Sequence, residues 1–442
     1  MGKSTLMQHI IVHKLIEKAA GRDGDAIVVI DPHADLVSDL LERVPPELAG
    51  RVRLIDLADE ERAPGINLLD ARVFTDRDRT ADSVVRVAKG LWDQWGPRMQ
   101  SILEHTVKSL HEANQQREHG EQYTILDGLR LLSDKTFRNT VLREVNDPHL
   151  LGWWTREFPS WTGSYRADAL APVQTRLAYY AGSKRARAIL GQRRSTIDLR
   201  QLIAEGGVLF VSASQSTAGK DVAALVVASI LNLVDAVIRE QGALPQAERR
   251  GALVVVDEMQ ALPGVDYESM LSELGKFGGS FVLATQSLSR LDDLSQTLRD
   301  TLLANAGCLA VFQVAAADAR ELVWELSRER LSEEDITSLP VHHAYVRATV
   351  GGERQPPFSM AVQPPAPGDP AVAAGIREGT AAYTTPAAEL ASADEALLAE
   401  FREGLDALDA DAAKQPGYGN SPPPKGKKKR PRNRKRRGPE AA

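Results

Sequence analysis

Cysteine is almost missing from this chain: Cys308 stands alone among 442 residues. One thiol supports neither a disulfide framework nor a cysteine-based zinc site, and it fits a reducing compartment, on the cytoplasmic side. Long apolar runs are missing too. The best candidate, 222–238, is interrupted by Asn232 and Asp235 and reads as a buried helix rather than a bilayer span. His9, His13 and Lys14 break the apolar start, so it is no signal peptide. His9 and His13 share a helical face, but no glutamate base lies between them and no third ligand is near, which argues against a metal pair. His342 and His343 read as loop or strand residues. The guanine-reading Asn-Lys-x-Asp pattern is absent, which weakens a GTPase reading. Aromatic residues make up only 5% of the chain, yet five of six tryptophans (Trp92, Trp95, Trp153, Trp154 and Trp161) fall within 77–190. Packing is the expected role of side chains of that size.

Charge is present but unevenly placed. The chain carries a net −6, yet residues 425–442 hold ten Lys or Arg and one Glu. A cationic tail on an acidic body is expected to meet a polyanion, nucleic acid first, or to fold back on its own domain.

Seven apolar runs read as strands: 26–30, 51–57, 207–213, 251–258, 280–286, 308–314 and 344–350. Several are apolar on both faces, as in a parallel sheet covered by helices on both sides. Helical segments separate most of them, which predicts an α/β fold. The division expected is 1–76 and 191–365 as two parts of one core, 77–190 as an all-helical insertion, and 366–442 as an appendage. In that appendage a linker rich in Pro and Gly precedes a short acidic amphipathic helix (392–408) and a basic tail (414–442) too polar to fold.

Four stretches carry chemistry. "GKST" (2–5) matches the second half of a phosphate-binding loop, with Lys3 for the β- and γ-phosphates and the Ser4 hydroxyl for Mg2+. "ALVVVDEMQAL" (252–262) ends a strand in Asp257-Glu258, where such ATPases place a metal-shell aspartate and a water-activating glutamate. "FVLATQSLSRL" (281–291) ends a strand in Thr285-Gln286, whose amide is suited to sensing the γ-phosphate or orienting water; Ser287 as a plain helix cap is the alternative. "VVIDPHADL" (28–36) puts Asp31 at a strand end, either as part of a site or as a simple helix start before Pro32.

In this order the four stretches resemble the HerA/FtsK superfamily of hexameric DNA-pumping ATPases, and within it the TraG/TraD-type coupling ATPases of conjugation and type IV secretion. "WGPRMQSIL" (95–103), "NAGCLAVFQVAAADARELVWEL" (305–326) and "LPVHHAYVRATVGG" (339–352) extend the likeness across most of 1–365. The resemblance implies a RecA-like P-loop core with an all-α insertion and an ATP-driven DNA translocase acting as a ring, in all expectation a homo-hexamer. ATP and Mg2+ are its cofactors, and DNA, a relaxase and secretion-channel proteins its partners. It assigns nucleotide binding to Gly2, Lys3, Ser4 and Thr5, metal binding to Ser4 and Asp257 (the latter through water), and catalysis to Glu258 and Gln286. A HerA-like helicase and a hydrolysis-deficient DNA-binding remnant are the alternatives. A trans-acting arginine is also implied, with Arg98 and Arg176 the first to test. Relatives usually have Gly where this chain has Ala34 and often Arg where it has Gln313. They often read T-G-x-G-K-S-T at the loop, so Met1 is expected to be internal to a longer loop. A preceding segment would then supply the first strand and a β-barrel module or a transmembrane anchor, the latter attaching the protein to the inner membrane face.

Overall fold

The computed structural model describes residues 2–392 except Asp93, and beyond them Glu395, Leu398, Ala399 and Arg402. The helix expected at 392–408 and the basic tail therefore lie, but for isolated residues, outside the described residues.

Five strands, β1 (Ala26–Asp31), β2 (Val52–Asp56), β3 (Val208–Ser212), β4 (Ala252–Val256) and β5 (Gly279–Leu283), form one wholly parallel sheet in the order β2-β3-β1-β4-β5. Every residue of β1, β3 and β4 is buried. That is why these strands read as unbroken apolar runs: helices cover both faces, so no position alternates toward water. Three further strands, β6 (Cys308–Val311), β7 (His343–Val350) and β8 (Phe358–Ala361), form an antiparallel sheet with β7 in the middle. All seven expected strands form. β8 and the short pairs were not foreseen, because two to four residues carry no measurable alternation.

Helix α1 (Lys3–Ala19) lays Met7, Ile11 and Leu15 into a cluster with Ile27, Val29, Leu40 and Phe210. Its apolar positions recur every four residues, so a single stripe meets the sheet. Helix α2 (Asp35–Leu41) follows β1 directly. Parallel strands all end at the same sheet edge, so Asp31, Asp257 and Thr285 arrive together at the start of α1.

Among the described residues no strand lies between Pro64 and Val208. That interval is helical, as expected, and includes α3 (Arg77–Leu91), α4 (Pro97–Asn114) and α5 (Gly163–Gly182). Trp153 and Trp154 are buried there and meet edge to face at 4.6 Å, with the Trp154 indole N–H donating to Ser109 Oγ at 2.8 Å. Packing is thus the role of these two, whereas Trp92, Trp95 and Trp161 keep part of their surface in water.

Helix α6 (Lys220–Glu240) packs against α3. By length and hydropathy alone it would pass as a membrane span, but every residue from Ala223 to Ile238 is buried within the protein. Its two polar interruptions are satisfied. Asn232 Nδ2 donates to the Ala228 and Gly264 carbonyls, and the Asp235 carboxylate accepts from Arg86 and Arg239 at 3.0 and 2.8 Å.

Residues 366–388 do not behave as the linker expected from their Pro and Gly content, and the compact body runs to Ala388. Helix α7 (Pro370–Gly379) is capped by Asp369, begins on Pro370 and buries Ile376 beside α2. Pro at a first helical position is pre-set for the helix rather than a breaker. Strand Thr384–Pro386 then pairs with Arg62–Pro64, and the Tyr383 hydroxyl accepts from the Leu54 amide at 2.8 Å.

Candidate functional site

Helix α1 begins without a side-chain cap and without an acidic residue in its first turn. Its free amides and positive dipole end therefore face the sheet edge uncompensated, as an anion site requires. Gly2 precedes it at φ 114°, and a Cβ there would lie 2.6 Å from the Phe312 ring. Left-handed backbone and close approach both demand glycine at this point.

The two halves of the site, more than 250 residues apart in sequence, are in contact. Lys3 Nζ donates to the Thr285 carbonyl at 2.8 Å and lies 3.5 Å from Glu258 Oε1. Ser4 Oγ donates to Asp257 Oδ2 at 3.1 Å. The amide of Glu258 donates to Asp257 Oδ1 at 2.9 Å, and Gln260 Nε2 donates to Glu258 Oε2.

Burial pushes the Asp257 carboxyl above the ordinary carboxylate value, and the neighbouring charges of Glu258 and Asp31 push the same way, while the Ser4 hydroxyl works against them. A cation nearby would relieve that cost, since opposite charge favours the ionised form. Glu258 is buried and adopts φ 46°, ψ 51°, the left-handed region, at a cost of about 1–2 kcal/mol for a residue with a Cβ. In this conformation its carboxylate lies 3.5 Å from Lys3 Nζ and accepts from Gln260 Nε2.

Asp31 is absorbed by its own turn. Its carboxylate accepts from the His33 and Val37 amides, both at 2.9 Å, which makes it the opening of α2. Its charge nonetheless reaches Asp257. Thr5 continues α1, half-buried. Gln286 lies one residue past the carbonyl that Lys3 engages and is exposed. Gln313 donates to the Thr337 carbonyl at 2.9 Å. His9 Nε2 donates to the Gln363 carbonyl, and among the described residues no three His, Cys, Asp or Glu side chains cluster for a metal. Arg98 and Arg176 both sit on the insertion, against Tyr165 and Trp92 respectively. Sequence reasoning missed Gln260 and the Thr285 carbonyl. The first shows only as an amide two residues past Asp-Glu, and a carbonyl has no sequence signature.

Residues 174–353 match the family model of the type IV secretion-system coupling protein DNA-binding domain. That match spans 180 of the 442 residues, and over that stretch the chain is similar to type IV secretion coupling proteins. No protein of curated function matches it in sequence. Solved structures share its fold. The plasmid coupling protein TrwB in complex with ADP and Mg2+ superposes with a TM-score of 0.62 at 18% identity, over 83% of each chain. The unbound monoclinic form of the bacterial conjugative coupling protein TrwBdeltaN70 gives 0.60 at 18% identity, over 82% of each. VirB4 of Thermoanaerobacter pseudethanolicus gives 0.56 at 13% identity, over 83% of this chain and 87% of its own. At these identities the likeness establishes the fold alone.

Proposed function

We propose that this protein is the ATP-driven motor that couples DNA to a type IV secretion or conjugation channel, working as a homo-hexameric ring. The observation that carries the reading is the meeting of Lys3 and Ser4 with Glu258 and Asp257 at the uncapped start of α1. The donor set fits ATP with Mg2+. A helix start and an ammonium offer charge to phosphates, and a hydroxyl bonded to a buried carboxylate offers two hard oxygens of the kind magnesium takes. Bound ATP supplies the anhydride whose cleavage drives the cycle.

The chain's own residues do the following. Gly2, Lys3 and Thr5 hold the phosphates, the first two by backbone and ammonium. Ser4 holds the metal directly and Asp257 through water. Glu258, held by Gln260, takes the proton of the attacking water. Gln286, beside the Thr285 carbonyl, reports on the γ-phosphate. DNA is the cargo, and a relaxase and channel proteins are its proposed neighbours. The family match favours this reading over a HerA-like helicase. Steady-state hydrolysis with and without DNA tests it: DNA should raise the rate, and Lys3→Ala should abolish it. ATP that binds but is never hydrolysed under either condition would sink the motor reading.

A further inference from the structure

Both oxygens of the Glu258 carboxylate are engaged. Lys3 Nζ lies 3.5 Å from Oε1, and Gln260 Nε2 donates to Oε2. The residue is buried as well. A carboxylate so enclosed is poorly placed to take a proton, because a general base must first reach the water it deprotonates.

The amide that encloses it is itself unsatisfied. Gln260 Oε1 is buried and accepts no hydrogen bond among the described residues. Buried acceptors are nearly always paired, so this pose of the amide is an unfavourable one. Turning the amide over offers no relief, since Oε1 would then face the carboxylate, acceptor against acceptor. Backbone strain lies at the same point, where Glu258 takes φ 46°. Strain of this kind gathers at switch regions.

The backbone around the pair is firm. Met259–Ala261 form a single 3-10 turn, closed by the Ala261 amide donating to the Glu258 carbonyl at 2.7 Å. Met259 is buried within it. Its amide donates to the Ala284 carbonyl at 2.9 Å, and its carbonyl accepts from the Tyr267 hydroxyl at 3.4 Å. The turn that carries Gln260 is thus bonded to the end of β5, one residue before Thr285, whose carbonyl holds Lys3.

We propose that Gln260 is a latch: it keeps Glu258 off the attacking water, and so brakes hydrolysis, until the motor engages its DNA cargo. The brake rests on the reading of this site as a DNA-driven ATPase. Two holds on Glu258 must go. Lys3, once turned to the phosphates, leaves Oε1 without its cation, yet the Gln260 amide still holds Oε2. Bound nucleotide alone therefore does not free the base. A shift at the end of β5 loosens both holds at once, because Lys3 and the turn are each bonded to it.

The test uses the full chain and two variants that remove the donor by different chemistry. Gln260→Met keeps the bulk without the amide, and Gln260→Glu sets a carboxylate against Glu258. Thermal melts establish folding. The first readout needs no nucleotide. A water-soluble carbodiimide with glycine ethyl ester labels carboxyl groups that can leave their partners, and tandem mass spectrometry resolves residue 258. Labelling at Glu258 should speed up on the order of tenfold in both variants, the shift expected when one hydrogen bond to a charged group is lost, with labelling at Asp31 unchanged. The second readout is steady-state hydrolysis. Without DNA, kcat should rise by a similar factor at constant KM; with DNA, it should stay at the parent's stimulated rate. Unchanged labelling at Glu258 would overturn the latch, whatever the chain hydrolyses. So would a kcat that falls with and without DNA alike, which would make Gln260 a support for the base in the reaction itself. Faster labelling of Glu258 in a chain that DNA never stimulates would sink the brake together with the motor reading.

Discussion

Ala34 holds φ 74° at the opening of α2, a conformation in which a Cβ is crowded by the following carbonyl. Replacing it with glycine removes that strain of about 1–2 kcal/mol but returns about 0.4–1 kcal/mol of freedom to the unfolded chain. Ala34→Gly should therefore raise stability by about 0.5–1 kcal/mol, read as a higher urea midpoint at constant slope. Asp257 makes a prediction of opposite kind. Its folded pKa lies above the ordinary 3.8, so the folded state binds the extra proton and stability falls as pH rises through the window above 3.8. Asp257→Asn removes that loss. It should melt higher than the parent at pH 7, with the gain vanishing near pH 3, while Mg2+-dependent nucleotide binding is lost. A variant no more stable at pH 7 would show that the carboxylate carries no penalty. Glu258→Gln should keep ATP binding and cut turnover by about 10²–10⁴-fold, the span for loss of a general base. Stopped-flow binding beside steady-state hydrolysis would separate the two effects, and an unchanged rate would refute the assignment.

At the scale of elements, α6 shows how a polar interruption is made tolerable. Asp235 is 2% exposed, and burial raises its pKa despite Arg239 and Arg86. Removing one partner from a buried ion set leaves the others uncompensated, which costs about 3–5 kcal/mol when all are buried. Arg86 is partly in water, so Asp235→Ala should cost about 2–3 kcal/mol by urea unfolding, less than the fully buried figure because solvent screens that partner. The same helix shows why some elements were legible and others not. Residues 222–238 read as a buried helix because Asn232 and Asp235 break an apolar run too long for a strand. Asp257-Glu258 was legible because a strand ending in two acids is rare enough to notice. The stretch 366–388 was misread because Pro370 and the Gly residues around it signal a loop locally, and only tertiary contact with α2 and Leu54 makes it part of the body. Gln286 stands where the strand pattern put it, but exposed, and no local pattern reports how a side chain turns after its strand has ended.

For the whole molecule the long-range variable is charge. Residues 425–437 bring ten cations and no aromatic residue, so whatever they bind they bind by charge, without reading sequence. A tail that engages about five phosphates releases their counterions, and log affinity for duplex DNA should then fall with log salt at a slope near −4 to −5. The rival is intramolecular. The remainder of the chain is acidic enough, at −15 against the tail's +9, to hold the tail by itself. The two differ in what deletion does. If the tail binds DNA, a protein ending at residue 424 should lose duplex affinity at low salt, flatten the slope by several units, and converge on the parent at high salt, where screening removes the difference. If the tail rests on the body, deletion should leave slope and affinity unchanged or raise affinity. Anisotropy of a labelled duplex over a salt series, for the two lengths side by side, decides between them.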